Sequence, residues 1–253
     1  MGCQKLVNDP GGSDTDISVE NGISYWGDTY DDFGHAVVQT ADGGYAVVGS
    51  QYSSLTQQDL MLVKFNSSLV FESDTSFGGD NSTYNNTAND LKQTADGGYI
   101  LVGSTFNGTD EDVWIVKYTP QLTLSWQDTI KGAYNDVGNS VQQTFDGSYV
   151  VCGTAHDGTD EDIMLWNVAT DGSSHSVLYS EATDNGSNDV GNYVQQTIDG
   201  GYIIVGSSYS ATNAYDVHLI KLNSKGDTTI ANGGGFDSTY SVVSGYLNDD
   251  ALI

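Results

Sequence analysis

The stretch Gln39-Thr40-Ala41-Asp42-Gly43-Gly44-Tyr45 returns along the chain as Gln93 to Tyr99, Gln143 to Tyr149 and Gln196 to Tyr202. Counted from the aspartate of each copy, the spacings are 54, 50 and 53 residues. A period of that size suits the blades of a propeller and exceeds that of most helical solenoids. Each copy reads as one device: an apolar strand ends in Gln-Thr, an Asp-Gly pair turns the chain, and a second strand opens on Tyr. Asp-Gly between such runs is a strong hairpin signal, because Gly takes the positive φ that a tight turn demands. The aspartates Asp42, Asp96, Asp146 and Asp199 therefore read as turn residues that accept hydrogen bonds from their own turn amides.

A second signature follows each copy, an Asp leading four apolar residues and usually a Lys. It stands at Asp59 to Lys64, Asp112 to Lys117, Asp162 to Asn167 and Asp216 to Lys221. A continuous apolar run bounded by polar turns argues a strand buried on both faces. In the first copy the four strands of a repeat read as 35–40, 45–51, 59–66 and 69–76. No ten-residue stretch has helical periodicity, so the domain is expected to be nearly helix-free. Four-stranded units that cannot bury both faces alone must stack, and radial stacking hides sheet faces while leaving only short edges. The expected fold is all-β, a β-propeller of four-stranded blades, with four blades and five as the alternative. Residues 1–22 read as a flexible linker and 23–253 as one propeller domain, with repeats near 31–84, 85–134, 135–188 and 189–240. Residues 241–253 read as the start of a further repeat or as an assembly tail.

The pattern Gln-Thr-x-Asp-Gly-Gly-Tyr-x-x-Val-Gly, then Asp-x-x-Leu-x-Lys, then a strand bearing Trp126, resembles the tandem-repeat surface propellers of Bacteroidetes-type bacteria and some archaea. That resemblance spans roughly residues 23–240. It implies a secreted or cell-surface chain and implies no particular reaction.

Charge narrows the partners. Against 34 acidic residues stand 7 lysines and no arginine, a formal net charge of -27. Such a field repels phosphate backbones and anionic surfaces, which argues against nucleic acid and leaves the membrane reachable only through a lipid. Cys3, followed by a polar tail, resembles the lipid-bearing start of a mature bacterial lipoprotein. Cys152 replaces Val48, Val102 and Val205 of the other copies and reads as a buried hydrophobe.

Cations are the natural counter-charge. The loops holding Asp110, Glu111 and Asp112, and Asp157, Asp160, Glu161 and Asp162, cluster carboxylates as calcium requires, although the alternation of an EF-hand is missing. The four histidines share no zinc spacing, and no nucleophile elbow or phosphate loop is present. A carboxylate pair for glycoside hydrolysis can arise among so many acids, yet no polar set in the sequence breaks the repeat conspicuously. Sequons stand at Asn66, Asn81, Asn85, Asn107 and Asn185. These features lead to the expectation of a non-catalytic extracellular structural or adhesion propeller without a cofactor other than calcium. It is expected to associate with itself head to tail, as an oligomer or as filaments built through its terminal segments. The alternative is a carbohydrate-binding propeller or a glycan-hydrolysing enzyme. The latch is expected to be residues 23–30 pairing with 216–222, which would free 227–253 for assembly.

Overall fold

The computed structural model describes residues 18–20, 22–27, 30–54, 57–77, 85–181, 188–209 and 215–228. Cys3, Asn81, Asn185 and residues 229–253 lie outside them.

Seventeen strands and no helix make up the described chain. After a small hairpin, β1 (Ser18–Glu20) and β2 (Ile23–Tyr25), the repeats form four antiparallel meanders. Blade 1 is β3 (Asp32–Gln39), β4 (Tyr45–Ser54), β5 (Gln57–Phe65) and β6 (Phe71–Phe77). Blade 2 is β7 (Asn86–Gln93), β8 (Tyr99–Phe106), β9 (Glu111–Tyr118) and β10 (Leu124–Ile130). Blade 3 is β11 (Asp136–Gln143), β12 (Tyr149–His156), β13 (Glu161–Val168) and β14 (His175–Ser180). Blade 4 has three described strands, β15 (Asp189–Gln196), β16 (Tyr202–Tyr209) and β17 (Tyr215–Leu222).

The Asp-Gly device turns β3 into β4, and its copies do the same in the other blades. Thr40 N–H donates to Gly44 O at 2.9 Å and Gly43 N–H to Thr40 O at 2.8 Å, with Gly43 at φ 84°. Asp42 Oδ1 accepts from the Thr40 hydroxyl and from Gly44 N–H at 3.1 Å. This is a hairpin turn closed by a glycine in the left-handed region, where a Cβ is disfavoured. The aspartate is a turn residue, as its place in the motif suggests. In blade 2 the ammonium of Lys117, itself buried, reaches Asp96 at 3.0 and 3.1 Å. The lysine that ends the third strand thus ties that strand to the turn of its own sheet.

Packing between sheets explains why the third strands are apolar throughout. Ala46, Val48, Leu60 and Leu62 of blade 1 meet Leu91, Tyr99, Leu101, Trp114 and Val116 of blade 2 in one buried cluster. Two further clusters join blade 2 to blade 3 and blade 3 to blade 4 through the repeat-equivalent residues. Cys152 is a buried free thiol in the last of these, and burial pushes its pKa up to about 12. The inner strands β3, β7, β11 and β15 contact one another in that order, so the sheets are arranged radially, as in a propeller. The outermost strands of blades 1 and 2 lean on the next sheet: Phe77 stacks on Trp114 with centroids 5.7 Å apart, and Trp126 lies 5.8 Å from Tyr149.

The N-terminal latch differs from expectation. β2 pairs with β1 rather than with β17, and the following Trp26 packs on Met61, Val63 and Phe65 of blade 1. Blade 1 has no preceding sheet among the described residues, so Trp26 covers the apolar face that would otherwise meet water. A strand at Ser18–Glu20 also falls inside the stretch read as linker.

Leu101 is fully buried between blades 1 and 2. Leu101→Ala is expected to cost about 2–5 kcal/mol of unfolding free energy by urea titration, with the usual cavity penalty. A change below about 1 kcal/mol would show that the blades do not share a core.

Candidate functional site

Among the described residues, polar side chains gather at the axis, where the inner strands converge, and in the loops between the second and third strands of blades 2 and 3. The first follows from an irregularity present in all four inner strands, the second from a loop length that blades 2 and 3 share.

Each inner strand carries a register shift after its third residue, at Gly34/Ala36, Ala88/Asp90, Gly138/Ser140 and Gly191/Tyr193. A bulge leaves one residue outside the ladder and re-aims its side chain. That side chain reaches the next inner strand: His35 Nδ1 lies 2.7 Å from Ala88 O, Asn89 Nδ2 donates to Gly138 O at 3.0 Å, and Asn139 Nδ2 donates to Gly191 O at 2.9 Å. Inner strands are therefore joined by side chains rather than by a backbone ladder.

Just past the bulge the repeat is broken. The equivalent positions read Ala36, Asp90, Ser140 and Tyr193, and two residues on they read Val38, Lys92, Gln142 and Gln195. Asp90 Oδ2 accepts from Ser140 Oγ at 3.2 Å and from Val141 N–H at 3.0 Å. Its Oδ1 accepts from Leu91 N–H at 2.9 Å and from Lys92 Nζ at 2.5 Å. Lys92 Nζ also stands 5.7 Å from the centroid of the Tyr193 ring, so a blade 2 cation meets a blade 4 aromatic face. The Lys92 side chain is 30% exposed and Tyr193 46%, so solvent reaches the pair. A carboxylate, an ammonium, a hydroxyl and an aromatic ring thus face one place. None of these four was singled out in the sequence. The signal that could have found them is the departure from the repeat at two inner-strand positions, visible only once the copies are aligned on the bulge.

The acidic loops are brought to the seams between blades. In blade 2, Asn107 Oδ1 accepts from Thr109 N–H at 2.9 Å and Asp110 N–H at 3.2 Å, while its Nδ2 donates to Asp110 and, at 2.9 Å, to Asp112 Oδ2. Asp136, at the start of β11, completes the group. Burial pushes its carboxyl up to about 6; the His156 N–H draws it back in part, and the Asp112 and Asp110 carboxylates add to the rise. In blade 3 the loop is the same with one exchange: Asp157 stands where Asn107 stands. Asp157 Oδ1 accepts from Thr159 N–H at 2.7 Å and Asp160 N–H at 3.3 Å, as Asn107 does. Oxygens of Asp157, Asp160 and Asp162 come within 4.8 Å of one another, with Asp160 and Asp162 buried. Glu111 and Glu161 separate from these groups. Glu111 Oε2 accepts from Ser104 Oγ at 3.2 Å, on the other side of the strand, and the N–H groups of Glu111 and Glu161 donate to Asn135 and Asn188.

Of the sequon residues within the described chain, Asn66 and Asn85 use Oδ1 as a backbone acceptor, and Asn107 uses both of its side-chain atoms.

No family model matches the chain, and no curated protein matches it. Solved structures do, and they are propellers. A protein of unknown function from Bacteroides caccae is 12% identical with a TM-score of 0.52, covering 86% of this chain and 74% of its own. An endo-arabinase from Bacteroides thetaiotaomicron VPI-5482 is 14% identical with a TM-score of 0.48, covering 78% of this chain and 76% of its own. A thermostable family-43 glycoside hydrolase is 14% identical with a TM-score of 0.46, covering 79% and 77%. At such identities the likeness concerns the fold alone, and it agrees with the radial arrangement of the sheets.

The expectation of a non-catalytic structural or adhesion protein is thereby corrected. The two similar structures named above with an activity are an endo-arabinase and a glycoside hydrolase. Its premise also fails in the molecule itself, because Asp90, Lys92, Ser140 and Tyr193 are a polar set that breaks the repeat.

The pH dependence of stability has two parts with opposite signs. Asp96 is held at about 2 because the Thr94 hydroxyl, Lys117 and Gly98 N–H outweigh its burial, and Asp199 is held at about 2 by Thr197, Lys221 and Gly201. A carboxyl depressed in the fold binds its proton first in the unfolded chain, so this stability is lost as pH falls from about 4 toward 2. Asp136 does the reverse: between about 4 and 6 the folded form holds a proton that the unfolded form has released, so stability declines as pH rises through that window. Asp136→Asn is expected to remove the decline, making the variant more stable than wild type at pH 7.5 by on the order of 1–2 kcal/mol. Equal pH dependence of the two in metal-free buffer would show that Asp136 does not carry it.

Proposed function

We propose that this protein acts on carbohydrate, with the axial group as its sugar site and glycoside hydrolysis as its reaction. The observation that carries the reading is the convergence of Asp90, Lys92, Ser140 and Tyr193 where the repeat is broken. A scaffold needs the same residue in every blade, whereas a site needs a chemistry once. An exposed aromatic ring beside an ion pair suits a sugar, whose C–H face packs on the ring while its hydroxyls exchange hydrogen bonds with carboxylate, ammonium and hydroxyl. Hydrolysis runs through two carboxyl groups. Asp90 is the carboxylate that the described residues place at the axis, and Asp32, Asp136 and Asp189 begin the inner strands. Four blades supplied by this chain, a surface location and kinship with the tandem-repeat surface propellers belong to the same proposal.

Reducing-sugar release from arabinan, galactan and xylan, together with affinity electrophoresis in the same polymers, tests it. Wild type is expected to retain and cleave at least one polymer. Asp90→Asn is expected to lower cleavage by at least about 100-fold, as loss of a catalytic group does. Retention without cleavage in wild type would leave a glycan-binding protein, and neither would remove the carbohydrate reading.

A second reading, calcium at the blade 3 loop, is favoured by the exchange of Asn107 for Asp157. In blade 2 the Asn107 amide supplies the N–H donors between Asp110 and Asp112. In blade 3 an acceptor takes that position beside two buried carboxylates, and a divalent cation with oxygen ligands satisfies all three. Calcium is expected to raise the melting temperature and EDTA to lower it, because a ligand bound only to the native state stabilises it by mass action. Asp157→Asn should abolish the response while keeping the fold. An identical melting temperature in calcium and in EDTA would return the loop to a solvated cluster.

A further inference from the structure

Each blade has a forward face and a receiving face, and the described molecule mates them three times. The forward residues Ile100, Val102, Val113 and Ile115 of blade 2 are buried against blade 3, and Val150, Cys152, Ile163 and Leu165 of blade 3 against blade 4. In blade 4 the same positions are Ile203, Val205, Val217 and Leu219. Val217 is 65% and Leu219 52% exposed, and the other two are half-buried.

Three polar latches accompany every mating. The turn N–H of Ala41, Ala95 or Phe145 donates to the glutamine ending the next inner strand, Gln93, Gln143 or Gln196, at 2.7, 2.8 and 2.8 Å. The N–H of Gln58, Glu111 or Glu161 donates to Asn85, Asn135 or Asn188 of the next blade. The bulge side chain of His35, Asn89 or Asn139 meets the next inner-strand carbonyl. On blade 4 the corresponding donors are Ile198 N–H, Tyr215 N–H and Asn192. All three residues are exposed, Ile198 at 99%.

The opposite end of the arc holds a complementary clue. Trp26 lies on Met61, Val63 and Phe65 of blade 1 in the way that Trp126 and Ile130 of β10 lie on the receiving face of blade 3. It therefore occupies the place of an outermost strand belonging to a blade that precedes blade 1. Its indole Nε1 is buried with no partner among the described residues. A unit that supplied three inner strands beside Trp26 would meet both open ends together.

We propose that the forward face of blade 4 is a docking surface for one further three-stranded unit of this same repeat, seated between blade 4 and the Trp26-covered face of blade 1. Its recognition chemistry is stated by the three existing seams: an asparagine before its first strand, a glutamine ending that strand, a carbonyl before its bulge, and an apolar face in the register of Leu91, Leu101 and Val116. Residues 85–118 of this chain carry that whole set and serve as the probe.

The test uses the full chain with Leu219→Cys and follows alkylation of that thiol by mass spectrometry after digestion, with and without a peptide of residues 85–118. The same unit joined to the chain by a glycine-serine linker is measured in parallel, so that a free peptide failing to hold its shape does not decide the result. The proposal expects fast labelling alone and labelling slowed at least tenfold when the unit is present in either form, with Val217→Asp abolishing the protection. Protection in the chain alone that is independent of concentration would mean that the chain's own residues cover the face. Protection that grows with concentration would assign the face to a second copy. Either outcome overturns the proposal, as does labelling that neither form of the unit slows.

Discussion

A sheet that is apolar on both faces cannot stand in water, and everything else in this molecule follows from that. Burial of apolar surface contributes roughly 25 cal/mol per Å², so the second and third strands, with residues such as Leu101 and Ile115 pointing to opposite sides, need a neighbour on each side. Radial stacking provides it for blades 2 and 3. It also sets the condition of the two end blades, where one face is covered by Trp26 and the other is left with Val217 and Leu219 in solvent.

The same stacking decides where chemistry can reside. Interblade positions are held to apolar residues by the core, and turn positions to Thr, Asp and Gly by their own hydrogen bonds. Past the bulge, alternate inner-strand residues such as Leu91, Val141 and Val194 enter the interblade core, while the positions of Ala36, Asp90, Ser140 and Tyr193 differ between copies. Asp90, Lys92, Ser140 and Tyr193 reflect that difference, and they also hold the inner strands together, since Val141 N–H finds its acceptor in Asp90. Binding a ligand at the axis and cohesion of the blades are therefore coupled. A ligand hydroxyl that donated to Asp90 would compete with the Ser140 hydroxyl and Val141 N–H of the seam.

At the seams the acid load of the chain becomes a local matter. The chain carries 34 acidic residues against 7 lysines. A few, Asp112, Asp136, Asp160 and Asp162, are drawn under the loops by the packing of one blade on the next. There, burial and mutual repulsion raise the cost of charge, and a donor such as Asn107 or a cation is needed to offset it.

The amino-acid order alone determined the elements that depend on neighbours along the chain. The Asp-Gly turns with their left-handed glycines, the apolar third strands, the four-fold repeat and the burial of Cys152 are all legible, because each is a local pattern or a comparison of equivalent positions. It also shows that Asp110 stands near Asp112, and Asp157 near Asp160 and Asp162, since a short loop keeps its residues together. Only the tertiary structure decided that Glu111 and Glu161 turn away from those loops, that Asp136 joins one of them from the next blade, and that Trp26 covers blade 1 instead of completing blade 4. The axial group was beyond reach for the same reason: Asp90, Ser140 and Tyr193 lie about fifty residues apart in sequence. They become neighbours only when bulged inner strands from three blades are wound about one axis.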